Sequence, residues 1–257
     1  MTRDLTNLMA AAADIVRDAA TIATEPPKDL TISTKAHRND LVTAVDKAVE
    51  ERIATRLAEI APYPLLGEEG HDIDSFAGRV WVLDPIDGTL NYVETHRDYA
   101  ISLALVEDGV PIAGLVYDVV ASRMYEAIRG EGARVNGSLL PRLEPRHRDD
   151  IVVITDIKEL DALPRLREIV TLSRGHRRYG SAALECIEVA CGRAGAFVHL
   201  WVAPWDIAAA ILVLTEVGAR VSRIDGTPLD VRYKGSIVAA ADPAHDEIIE
   251  RLVRDAT

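Results

Sequence analysis

The chain has 257 residues, 48% of them hydrophobic, and carries 41 Asp plus Glu against 29 Lys plus Arg, a formal net charge of −12. That length and apolar content supply a sizeable core, in one large domain or two small ones, and exclude disordered and fibrous classes. The acidic surplus opposes binding to nucleic acid or to an anionic membrane through a basic field, and leaves a cation-binding protein open.

Apolar residues Leu5, Leu8, Met9, Ala12, Ile15, Val16, Ala19 and Ile22 recur at three- and four-residue steps and predict an amphipathic first helix, stopped by Pro26 and Pro27. Asp14, Arg17 and Asp18 interrupt that run, so it lacks the core of a secretory signal. A second helix is predicted from about Ala44 to Ala61 on the spacing Val45, Val49, Ile53, Leu57, with Pro62 and Pro64 as terminators. β-prone runs follow at 79–83, 100–106 and 112–118, parted by turn pairs such as Asp108-Gly109. Arg129-Gly130 and Asn136-Gly137 predict hairpins within 122–140. The polar stretch from Pro141 to Asp150 is the expected boundary between an N-terminal half, 1–145, and a C-terminal half, 146–257, of one functional unit. The second half is expected to run strand 151–155, helix 159–172, helix from about Ala182 to Cys191, strand 196–201, helix from Trp205 to Val217, strand 236–240 and helix 243–254. Helices layered on sheets, an α/β domain, follow from this order. The longest uncharged runs, such as Ile207 to Thr215, fall short of the ~20 residues that span a bilayer. Cys186 and Cys191, five residues apart in a helical stretch, point to different faces and suit two reduced thiols, so a cytoplasmic setting is expected.

The most informative stretch is WVLDPIDGTLNYV, Trp81 to Val93. Pro85 lacks a backbone N–H and biases Asp84 toward an extended conformation, so the chain is expected to turn there. Asp87 follows three residues later; Gly88 can take positive φ and let an anion approach the backbone, and the amides and hydroxyl around Thr89 offer donors at an expected helix start. Two carboxylates beside a Gly-Thr cradle can hold divalent cations and a phosphate side by side. Upstream, Gly67-Glu68-Glu69-Gly70 places adjacent carboxylates between glycines, which alone reads as an exposed loop. Asp206, in Pro204-Trp205-Asp206, falls in the first turn of its helix, and Asp46 at the start of the second helix; each alone suits a cap favoured by the macrodipole. Taken together, Glu68, Asp84, Asp87 and Asp206 are hard oxygen ligands suited to Mg²⁺ or Mn²⁺, and the sequence has no His/Cys cluster with zinc spacing.

GEEG, DPIDGTLNYV, PWDIAAA and the upstream DLVTAVD stand in the order and spacing of the signature segments of the inositol monophosphatase family, which the sequence resembles through essentially its whole length. Val116-Tyr117-Asp118, Arg129 to Ala133, Asn136-Gly137 and Tyr179 to Ala183 are similar to further landmarks of that family. The resemblance implies an α/β (α+β) fold built as a layered αβαβα sandwich, a homodimer, and a Mg²⁺-dependent, lithium-sensitive phosphatase. It implies that Glu68, Asp84, the carbonyl of Ile86, Asp87 and Asp206 hold two or three Mg²⁺ ions, with Mn²⁺ able to substitute. By similarity, the phosphate rests on the amides of Gly88 and Thr89 near Asp87, and Ser181, Ala182, His199 and Asp206 complete the substrate contacts. Asp46 and Thr89 with Glu68 would then orient and deprotonate a metal-activated water, in keeping with the positioning that in-line displacement at phosphorus requires. The expected reaction is hydrolysis of a small phosphomonoester, inositol 1-phosphate to inositol and phosphate.

Several residues depart from the family pattern or stand outside it. His199 lies seven residues before Asp206, where many inositol-phosphate-hydrolysing members have a Glu that contacts sugar hydroxyls; as a strand residue it also has a purely structural reading. Leu90 stands where a Thr is frequent, and Lys35 aligns with a family position near the metal and phosphate site. The cluster from Arg174 to Gly180, with Arg174, Arg177 and Arg178, suits either a second anionic group on the substrate or surface ion pairs. These features keep open fructose 1,6-bisphosphate, histidinol phosphate, a 3′-phosphoadenosine nucleotide or NADP as substrate. A regulatory or RNA-interacting protein on the same scaffold is the reading from a different class, opposed by the acidic charge and the complete set of acids.

Overall fold

The computed structural model describes residues 2–25, 32–34 and 41–253; Pro26, Pro27, Lys35 and Asp40 lie outside them. Helices α1 (Thr2–Thr24) and α2 (Ala44–Ile60) flank the short antiparallel pair β1 (Ile32–Thr34) and β2 (Leu41–Thr43). The helical spacing of the sequence is the packing: Val45, Val49, Ile53 and Leu57 of α2 and Met9, Ala12, Val16 and Ala19 of α1 are all buried in one cluster. Each such Val, Ile, Leu or Met side chain contributes about 1.5–3 kcal/mol by leaving water.

The first sheet has seven strands in chain order: β3 (Leu65–Gly67), β4 (Arg79–Asp87), β5 (Ala100–Glu107), β6 (Val110–Asp118), β7 (Arg123–Ile128), β8 (Ala133–Val135) and β9 (Ser138–Leu139). Only β3 and β4 run parallel; the remaining neighbours are antiparallel. Asn136 and Gly137 both take positive φ, as the tight hairpin between β8 and β9 requires. A short helix α3 (Thr89–Glu94) interrupts the run between β4 and β5.

After a single turn of 3₁₀ helix at Arg148–Asp150 come β10 (Val152–Ile154), α4 (Ile157–Ala162), α5 (Pro164–Leu172), β11 (Gly175–Arg177), α6 (Ala182–Ala190), β12 (Ala196–Val202), α7 (Pro204–Glu216), β13 (Arg220–Ser222), β14 (Gly235–Ala240) and α8 (Ala244–Val253). Their strands form a second sheet in the order β11-β10-β12-β14-β13, parallel among the first three and antiparallel beyond. Helices α6 and α7 fill the space between the two sheets, α1 and α2 cover the outer face of the first, and α4, α5 and α8 cover the outer face of the second. The result is the layered αβαβα sandwich that the resemblance implies.

Double coverage explains why β5 reads as a run that is apolar except at Ser102: Ala100 to Val106 are buried on both faces. Helix α7 comes unusually close to the first sheet, because a Cβ at Gly114 would lie 2.6 Å from the Ala209 carbonyl oxygen. Among the described residues, no helix is long and apolar enough to cross a membrane. Cys186 and Cys191 are both free thiols, the first buried.

Three expectations need correction. The predicted helix 159–172 is two helices, since Pro164 cannot donate to the preceding turn and instead begins α5 as its first residue. The short strands β1, β2, β3, β11 and β13 were not expected; three residues carry too little periodicity to register. Finally, the chain does not turn at Pro85 but continues as β4 to Asp87.

Candidate active site

The continuation of β4 past Pro85 depends on a β-bulge. Asp84 pairs with Ser102 of β5 and Asp87 with Ala100, so three steps on β4 face two on its neighbour. Pro85 sits inside that irregularity, where a missing N–H breaks no regular ladder. Residues three apart on a regular strand face opposite sides, and the extra residue cancels that alternation. Asp84 and Asp87 therefore feel one another's charge.

Three segments bring four carboxylates together here. Asp84 and Asp87 are buried on β4; Glu68 comes from the loop after β3 and Asp206 from the first turn of α7. Burial, then the charges of Glu68, Asp87 and Asp206, push the Asp84 carboxyl well above the usual carboxylate range. Asp206, still partly open to solvent, is pushed the same way by desolvation of its carboxylate and then by Asp87, while its Oδ2 accepts the Ala203 amide at 2.6 Å. Asp87 is raised by burial against the opposing pull of its donors: the Ser181 hydroxyl and the amides of Ala183 (2.7 Å) and Ala182 (3.2 Å). Ser181 and Ala182, expected to face substrate, thus spend these donors on Asp87 and tie β4 to the start of α6.

Thr89 and Asp46, expected to orient a water, are also brought together. Asp46 is 1% exposed. The Thr89 hydroxyl lies 3.0 Å from its Oδ1 and 3.1 Å from the Ile86 carbonyl oxygen, so its one proton serves two acceptors, of which the carboxylate is the stronger. Between them Gly88 takes φ 94°, and a Cβ there would press on the Asp98 and Gly180 carbonyl oxygens at 3.1 and 3.3 Å. Only glycine meets both demands.

The donor set fits hard divalent cations: carboxylate and carbonyl oxygens, with Asp84, Asp87 and Asp206 raised in pKa first by burial, and with no ion pair to Asp84 or Asp87 among the described residues. No three of these carboxylates bring ligand atoms within 4.8 Å of one another, which suits ligands shared among more than one ion. Asp242, His245 and Asp246 do meet that distance, but Arg220 already reaches Asp242 at 3.2 Å and Asp246 at 2.6 Å.

His199 is not grouped with the acids. It sits where β12 bulges against β14, its Nδ1 accepts the Trp201 amide at 3.1 Å and lies 3.3 Å from buried Glu159, and its strongest charged neighbours are Glu159, Asp156, Arg178 and Lys158. Burial lowers its pKa against the opposing pull of Glu159 and Asp156. In the basic cluster, Arg174 pairs with Asp150 at 2.8 Å and Arg178 with Asp156, whereas the Arg177 guanidinium donates to the His176 carbonyl. Leu90 is exposed on α3. A cleft of about 400 Å³, lined by Asn91, Arg97, Asp98, Arg178 and Tyr179, adjoins that helix. A cavity of about 610 Å³ lies at the far end of α7 around Leu212 and Glu216 and shares no residue with the acids.

Sequence reasoning passed over three residues that hold this site. Glu185 accepts the amides of Tyr179 (2.6 Å) and Gly180 (2.8 Å); Asn91 donates to the Asp98 and Tyr179 carbonyls at 2.8 and 2.6 Å; Glu50 grips the loop around Glu69. The available signal was spacing: Glu185 is four residues beyond Ser181, and Glu50 four beyond Asp46.

The sequence profile of the inositol monophosphatase family matches residues 2–257. The chain belongs to that family. It is 38% identical over 248 residues to an inositol-1-monophosphatase of Bacillus subtilis (strain 168), covering 93% of each chain. Among solved structures, inositol monophosphate-bound SaIMPase-II superposes with a TM-score of 0.86 at 35% identity, covering 96% of this chain and 93% of the other. An IMPase/NADP phosphatase complexed with Mg²⁺ and phosphate gives 0.89 at 28% identity, with 99% and 97% covered. As a member of the inositol monophosphatase family, the protein is a phosphomonoester hydrolase.

Proposed function

We propose that this phosphatase hydrolyses inositol 1-phosphate in a Mg²⁺-dependent reaction, with Glu68, Asp84, the Ile86 carbonyl, Asp87 and Asp206 holding two or three ions that Mn²⁺ can replace. The observation that carries the reading is the convergence of Asp84, Asp87, Glu68 and Asp206 beside the Thr89–Asp46 pair. When bound, the ions supply Lewis acidity, lowering the pKa of water and neutralising charge on the phosphoryl oxygens. The chain supplies orientation and proton transfer. Asp46 Oδ1 takes the Thr89 hydroxyl proton, which frees a lone pair on Thr89 Oγ1 to accept a proton from the attacking water, with Glu68 as the second acceptor. The amides of Gly88 and Thr89, at the start of α3, receive the phosphate. Asp87, fixed by Ser181, Ala182 and Ala183, ties the substrate side to α6.

The substrate assignment draws on the relatives' names and bound ligand. A second reading, a nucleotide 2′-phosphate such as NADP, is favoured by Arg177, which has no carboxylate partner among the described residues, and by the relative named as an NADP phosphatase. Lithium sensitivity, a homodimer and a cytoplasmic setting belong to the same proposal. Phosphate release from inositol 1-phosphate, NADP, fructose 1,6-bisphosphate, histidinol phosphate and a 3′-phosphoadenosine nucleotide, with and without Mg²⁺ and Li⁺, tests it. Fastest release from inositol 1-phosphate that requires Mg²⁺ and is suppressed by Li⁺ is expected; release at full rate in chelator overturns the metal assignment. A preference for NADP that Arg177→Ala abolishes would favour the second reading.

A further inference from the structure

Glu50 lies one helical turn beyond Asp46 on α2, is 2% exposed, and has no part in the roles described above. Its carboxylate holds a piece of backbone. Oε2 accepts the Glu69 amide at 2.8 Å, Oε1 accepts the His71 amide at 3.2 Å, and His71 Nδ1 lies 2.8 Å from Oε1. The Gly67 amide donates to the His71 carbonyl at 2.9 Å, closing the loop 67–71 around that carboxylate, and the Glu68 amide donates to the Leu83 carbonyl at 3.2 Å. Glu68, whose side chain meets Asp84, is therefore suspended between the end of β3 and amides held by Glu50.

Gly67 gives the same answer from the other side. A Cβ there would fall 2.5 to 2.8 Å from the carboxylate atoms of Glu50, so the carboxylate fills the space a side chain at 67 would need. Its backbone is outside the left-handed region, so this approach alone is what demands glycine. Helix α2 is itself fixed by buried Val45, Val49, Ile53 and Leu57. Residues four apart share a helix face, and this face presents Asp46 to Thr89 and Glu50 to the Glu68 loop.

Building on the reading of Glu68 as an ion ligand, we infer that Glu50 is a positioning residue that sets Glu68 against Asp84, so that α2 fixes the spacing between the ion site and the Thr89–Asp46 pair. Partners behind a ligand typically govern affinity by 10–100-fold. Titrating Mn²⁺ into the full-length metal-free protein, with free ion read by electron paramagnetic resonance, tests this without turnover. Glu50→Gln, which keeps the size and one acceptor, is expected to weaken Mn²⁺ binding about tenfold or more while the metal-free protein keeps its circular dichroism and cooperative melting. Gly67→Ala is expected to weaken it comparably in the native background and to add little to Glu50→Ala, because the atoms it would strike are then gone. Asp84→Asn separates the two levels of the argument. Native affinity in Glu50→Gln and Gly67→Ala with affinity lost in Asp84→Asn overturns the role of Glu50 alone, as does full additivity of Gly67→Ala with Glu50→Ala; native affinity in Asp84→Asn as well overturns the ion site on which it rests.

Discussion

Asp242 and Asp246 sit exposed around the start of α8, and Arg220 bridges both; Asp84 and Asp87 lie buried on β4, with no ion pair among the described residues. Both groups gather like charges at the end of a secondary-structure element, yet only one is neutralised by the chain itself. The surface group gains little from its arginine, because water already screens it. The buried group is desolvated and self-repelling, which raises its carboxyls and leaves compensation to a ligand from outside. An acid cluster that the fold encloses without its own cation is the better ion site than one with tighter ligand spacing.

The largest expected effect tests the buried side. Asp84→Asn should lower metal-dependent turnover by more than about a hundredfold, beyond what partners behind a ligand achieve, while raising the melting temperature of the metal-free protein, because a desolvated charge disappears and Ile86 keeps an acceptor. A lower metal-free melting temperature would show that repulsion does not dominate there. Next, saturating Mg²⁺ should stabilise the native chain by about 2.7 kcal/mol at a hundred times its Kd, seen as a rise in melting temperature that Asp84→Asn loses and Asp246→Asn keeps. On the exposed side, Arg220→Ala should cost about 1 kcal/mol or less, a loss that salt reduces, with turnover unchanged. The smallest effect is expected at His245, buried against Ser222, whose pKa is lowered by burial and then by Arg220. A base with a lowered folded-state pKa favours folding fully above its ordinary value near ~6.5 and loses that contribution as pH falls toward the folded value. Melting curves between pH 5 and 7, on the order of that window, should therefore fall more steeply for the native protein than for His245→Gln.

Helix α2 shows how much of this could be read in advance. Its buried face follows directly from Val45, Val49, Ile53 and Leu57, and Asp46 stands at its start as expected. Glu50 on the same helix carries no separate mark: a Glu four residues after an Asp looks like any solvated face until the loop 67–71 closes over it. Pro85 misled because a proline's lost donor argues against a strand interior, and only pairing with β5 reveals the bulge that accommodates it. His199 was tied to the substrate by alignment with relatives, whereas its contacts are with Glu159 and the bulged strand.

The residue types and spacing alone determined the helix faces, the sheet-forming runs, the hard-oxygen character of the ligand set and the family, because periodicity and chemical class are local properties. Tertiary structure decided which acids are desolvated, that Asp84 and Asp87 share a side, that Ser181 and Ala182 donate to Asp87, and that Glu50 holds the Glu68 loop. Burial and charge repulsion depend on what other segments bring to the same place, and carboxylates from three segments far apart in sequence acquire their shared field only when the sheets and helices close around them.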